Sequence, residues 1–86
     1  MIKPEKMPNA LYALQSVLIK AREMAYQSAS ARDLGGILDY AEMLPRFIAS
    51  EEDETDKFRE YLAEIADGYK CAFVLQRFDE PAPPKW

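Results

Sequence analysis

Carboxylates are the residues of this sequence best suited to chemistry. Glu60 and Glu64 stand four apart, and Asp39 and Glu42 three apart, spacings that put each pair on one helix face. Such a pair permits a metal ion or an acid/base couple. Both pairs, however, fall on the polar sides of their segments, where water solvates them and leaves their titration ordinary. The acidic run Glu51 to Asp56 invites a calcium reading but lacks the central glycine and the terminal bidentate glutamate of a helix-loop-helix cation site. Cys71 is the one cysteine, so no internal disulfide forms. Among Ala72, Phe73 and Val74 it reads as a buried or half-buried small hydrophobe, not as an activated thiolate. The absence of histidine removes Ser-His and Cys-His pairs, the imidazole base and the Glu-x-x-His metal site. Gly35-Gly36 is followed by no phosphate-loop lysine or serine and instead suits a close helix approach. The expectation is a protein with no catalytic site, no cofactor and no metal.

The remaining classes are bounded by size and charge. The chain has 86 residues, 49% hydrophobic and 30% charged, the composition of a single domain over residues 1–86. At this length roughly 60 to 65% of the unfolded chain's surface is buried on folding, so the core is thin and association with another surface is a natural remedy. Eleven basic and 15 acidic residues give a net charge of -4, which argues against nucleic acid and anionic membranes as partners. The apolar run Cys71 to Leu75 is far short of the ~20 residues of a membrane span. Met1 to Lys6 leads into no signal-peptide core, and a cytoplasmic location is expected.

The elements that must carry these residues read as helices. Met1 to Met7 is a polar lead, and Pro8 suits the first turn of a helix running to about Gln27. Leu11, Leu14, Leu18, Ala21 and Ala25 recur along it at helical spacing, widened by Val17 and Met24. Ser30, with Asp33 three residues on, makes a variant capping box that starts a second helix. That helix carries Leu34, Ile37, Leu38, Ala41, Leu44 and Ile48, broadened by Tyr40, Met43 and Phe47. Pro45 predicts a kink or break near Leu44. The acids of Ser50 to Asp56 mark a turn and a third helix start. Phe58, Tyr61, Leu62, Ile65, Ala66, Tyr69, Ala72 and Phe73 then share one face through Gly68, favouring one helix to about Phe78. A competing reading ends that helix at Asp67-Gly68 and makes Tyr69 to Leu75 a strand, for which no partner strand is evident. Pro81 to Trp86 reads as extended, closing a tail over residues 79–86. The fold class is therefore all-α, a small three-helix bundle with a Pro-rich C-terminal tail. Its predicted core is Leu11, Leu14, Leu18, Leu34, Ile37, Leu38, Ala41, Phe58, Leu62 and Ile65.

Apolar residues exceed what such a bundle needs. Tyr12, Ile19 and Tyr26, seven apart, form a second stripe on the first helix, and Cys71, Val74, Leu75 and Phe78 do the same near the end of the third. Such stripes either pack internally or face another protein. The first 32 residues carry a net +3, while Ser50 to Gly68 sets eight acids against Lys57 and Arg59. A small, acidic, all-helical chain without catalytic chemistry has the profile of bacterial immunity proteins, antitoxins, phage-encoded inhibitors and secretion adaptors, a likeness of type and not of residues. The function this implies is stoichiometric binding of another protein, a basic target that the chain neutralises. Tyr12, Ile19, Tyr26, Glu51, Glu52, Asp53, Glu60, Glu64 and Trp86 are its candidate contact residues. The alternative is a self-associating structural or adaptor subunit, a helical homodimer.

Overall fold

Ser30 begins the organisation of the chain, because its side chain accepts the Asp33 backbone N-H at 3.1 Å and satisfies one orphan donor of the helix that follows. The computed structural model describes residues 1–81 and is all-helical over them. A 3-10 turn (Pro4–Lys6) leads into α1 (Met7–Tyr26), followed by α2 (Ala31–Ala49), α3 (Thr55–Gly68) and α4 (Phe73–Asp79). Four α-helices thus replace the three expected, and no strand occurs among the described residues.

The extra helix arises from a break the apolar phase did not reveal. α3 ends at Gly68, Lys70 adopts a left-handed conformation (φ 55°), and the Cys71 N-H donates to the Ala66 carbonyl at 3.0 Å. This is a Schellman termination with lysine at the position glycine usually takes. α1 ends in the same way, with Ser28 at φ 61° and the Ala29 N-H bonded to the Met24 carbonyl at 2.9 Å. Beyond the break α4 folds back against α1 and α3, so Cys71, Val74 and Phe78 point into the core. The second stripe of the third segment is therefore internal.

α4 also decides how α1 is turned. Ala10, Ala13, Val17, Ala21 and Met24 are the buried residues of its core face, whereas Leu11 and Leu18, expected in the core, are each 49% exposed. Flanked by α2 on one side and α4 on the other, α1 turns its small residues inward, which permits close approach, and leaves its leucines at the edge. Leu14 and Leu34 are half-buried, and Leu38 is 47% exposed. Of the predicted core, Ile37, Ala41, Phe58, Leu62 and Ile65 are buried, joined by Leu44 and Phe47.

Pro45 does not break α2. The helix continues to Ala49, with the exposed proline inside it. Neither is the start of the chain a mere polar lead: Ile2 is buried, and the Met1 amino group donates to the carbonyls of Ser50 and Glu52. The Lys3 N-H donates to Thr55 Oγ1 at 2.9 Å, and the Glu54 N-H to the Met1 carbonyl at 2.7 Å, which braces the α2–α3 turn. At the other end the expected tail over 79–86 starts later, because Asp79 still belongs to α4, and its residues 82–86, Trp86 included, lie outside the described residues.

Candidate functional site

Charge collects on the solvent side of α3. Asp56, Glu60, Glu64 and Asp67 follow at spacings of four, four and three and are all exposed, which makes one acidic ridge along the helix. The adjacent cations are committed elsewhere. Arg59 holds Asp79 through two bonds of 2.9 and 2.7 Å, and Lys57 lies 3.7 Å from Glu54. The Arg59 bonds hold the Asp79 carboxyl below the usual carboxylate range. Glu51 and Glu52 are exposed at the α2–α3 turn. Asp53 beside them serves the fold, because its Oδ1 accepts from the Thr55 hydroxyl at 2.6 Å and from the Thr55 N-H at 3.0 Å. Those bonds lower its pKa and satisfy a donor at the start of α3. The structure therefore brings Glu60 and Glu64 onto one ridge and separates Asp53 from them by function.

The ridge borders an aromatic seam. Tyr61 of α3 meets Tyr40 of α2 edge-on, with ring centres 5.7 Å apart, and meets Phe47 in the same manner at 4.9 Å. Tyr40 and Phe47 are two turns apart on α2, so Tyr61 sits between them. Asp39, Tyr40, Met43 and Tyr61 line a notch of about 150 Å³ at this seam. Burial raises the Tyr40 pKa, and Glu64 on the ridge raises it further. A wider groove of about 370 Å³ lies between α3 and α4 and is lined by Ala66, Ala72, Leu75, Gln76, Asp79 and Glu80. Among the described residues no group of three or more acidic or cysteine side chains could hold a metal ion. Burial raises the Cys71 pKa, away from reactive thiolate character.

The tyrosine stripe of α1 is divided. Tyr12 is half-buried with the Arg77 guanidinium 4.5 Å from its ring centre, Ile19 is half-buried, and Tyr26 is 80% exposed. Apolar side chains also stand open on α1 and α2, where Leu11, Leu18 and Leu38 are each about half exposed. Helical spacing puts Leu11, Leu14 and Leu18 along one edge of α1, and Leu34 and Leu38 along one edge of α2.

Sequence reasoning missed the polar residues that hold α4. Asn9 and Ser16, buried on α1, reach it directly: Asn9 Nδ2 donates to the carbonyls of Arg77 and Glu80 at 3.0 and 2.7 Å, and Ser16 Oγ accepts from Arg77 at 2.7 Å. Lys6 Nζ donates to the Phe78 carbonyl at 2.9 Å. The signal available was the placement of two polar side chains seven apart, beside the Ala10/Val17 face. No helix of the described residues is long and apolar enough to cross a membrane. No family model, curated protein or solved structure matches the chain.

Proposed function

We propose that the chain is a non-catalytic protein-binding module of the stoichiometric inhibitor, immunity or antitoxin type, which engages a basic protein through the acidic side of α3. The carrying observation is the ridge Asp56, Glu60, Glu64 and Asp67, exposed and aligned while the neighbouring Lys57 and Arg59 are directed to Glu54 and Asp79. Like charges four apart on a helix cost about 0.2 to 0.5 kcal/mol per pair, so the alignment does nothing for folding. A basic surface laid against it relieves the repulsion, steers encounter and sets orientation. The variant Glu60→Lys/Glu64→Lys tests this with a partner recovered by pull-down at low salt. Association followed across ionic strength should slow and lose its salt dependence, while denaturant stability changes by only about half a kcal/mol. An unchanged rate and salt slope would assign the ridge to solubility alone.

Self-association is the second reading, favoured by the half-exposed Leu11, Leu18 and Leu38. The occupant it names is a second copy. The acid at helical spacing from Leu38, Glu42, is paired with Arg46, and the ridge stands on α3, which packs mainly against α2 and α4, so two acidic chains would meet there without bringing their ridges together. Light scattering should then give twice the chain mass for the wild type and the single mass for Leu18→Lys. A wild-type mass of one chain throughout the micromolar range removes this reading.

A further inference from the structure

The notch between α2 and α3 has a chemistry of its own. Its lining is wholly apolar, the Tyr40 and Tyr61 rings at 78° to each other with Met43 and the stem of Asp39 beside them, and the carboxylates of Asp39 and of Glu64, next to Tyr40, supply negative charge from outside that lining. An aromatic face attracts a cation through its quadrupole, and a neighbouring carboxylate adds direct Coulomb attraction. Elsewhere the molecule satisfies its own rings in this way: Arg77 lies over Tyr12 and Phe73, and Lys6 over Phe78. Among the described residues no cation lies over Tyr40 or Tyr61. The nearest candidates in sequence are otherwise engaged, Arg59 with Asp79, Lys57 with Glu54 and Arg46 with Glu42. A volume of about 150 Å³ suits the end of one long side chain and not a whole peptide.

We propose that this notch receives one cationic side chain, a lysine or arginine, of the basic partner, an assignment that rests on the reading of the acidic ridge as a docking surface. The ridge attracts and orients the partner over the length of α3, and the notch beside it anchors a single residue. Ridge binding depends on charge alone, whereas notch binding depends on ring faces as well as charge, so removing a ring separates the two experimentally.

Hexalysine and hexaarginine peptides are the probes, titrated at low salt and followed by nuclear magnetic resonance. Binding should shift the Met43 methyl and the Tyr40 and Tyr61 ring signals. Tyr40→Phe, which keeps the ring, should bind like the wild type, and Tyr40→Leu about two- to fivefold more weakly, the fold-change expected for losing one exposed cation-ring contact. Asp39→Asn should weaken binding as well. Should Tyr40→Leu fail to fold by circular dichroism, the wild-type shifts and Asp39→Asn decide. Peptide binding with shifts confined to the Asp56, Glu60 and Asp67 amides, and equal affinity in the variants, overturns the notch while leaving the ridge reading in place. Failure of both peptides to bind at low salt overturns both.

Discussion

Gly36 shows how a single residue reports tertiary contact. A Cβ built there would collide with the Tyr69 hydroxyl, whereas one built at Gly35 meets nothing within 4 Å. Both glycines lie in the first turns of α2, where alanine is favoured by about 1 kcal/mol. Gly35→Ala should therefore raise stability by about that amount, while Gly36→Ala should fail to. Removing the hydroxyl separates the causes, because the Tyr69 ring carbon that bears it stands 3.6 Å from the built Cβ, an ordinary contact. In a Tyr69→Phe background Gly36→Ala should recover the gain, and a double-mutant cycle in urea would read the coupling. The acidic residues obey the same local logic. Asp53 is explained by its bonds to Thr55, while Glu60 lies beyond the first turn of α3, out of reach of the helix dipole.

α4 is the element that most depends on its neighbours. With seven residues it is too short to persist alone, and its terminal carbonyls are satisfied by Lys6 and Asn9 from the other end of the chain. Asn9→Ala leaves the Arg77 and Glu80 carbonyls without that donor and should cost about 1 to 3 kcal/mol, with the earliest loss of amide-exchange protection in α4. The Arg59–Asp79 bridge ties α4 to α3, and its side chains are 51% and 40% exposed. Asp79 has a folded pKa below its unfolded value, so its contribution is complete at neutral pH and is lost as pH falls below about 4 toward the folded value. At this exposure it amounts to about 0 to 1 kcal/mol and is weakened by salt. Denaturant stability between pH 7 and pH 3 should fall less steeply for Asp79→Asn than for the wild type. Amphipathic period alone ran the third helix through Gly68, because an apolar phase maintained across residues 58–73 does not register a Schellman turn centred on Lys70.

At the scale of the molecule the leucines divide into two groups. Leu62 is fully buried and Leu38 is 47% exposed, so Leu62→Ala should cost about 2 to 5 kcal/mol and Leu38→Ala under about 1 kcal/mol in equilibrium unfolding. By itself the sequence determined the all-helical class, the limits of α1 to within a residue, the start of α2 at the serine cap Ser30, the inward face of α3, and that of α2 apart from Leu38. These follow from local chemistry: helical period, capping oxygens, and apolar stripes broad enough to leave no choice of orientation. It determined as well that Glu60 and Glu64 share one exposed helix face. Only the tertiary structure decided which face of α1 turns inward. That helix offers a small-residue face, Ala10/Ala13/Val17, and a leucine face, Leu11/Leu14/Leu18, and transfer energy by area favours burying the leucines. The choice went the other way because α4 folds back beside α1, where close approach and the bonds of Asn9 and Ser16 require small and polar residues at that contact. The notch at Tyr40 and Tyr61 was likewise beyond the sequence, since it exists only where two helices distant along the chain set their rings edge to edge.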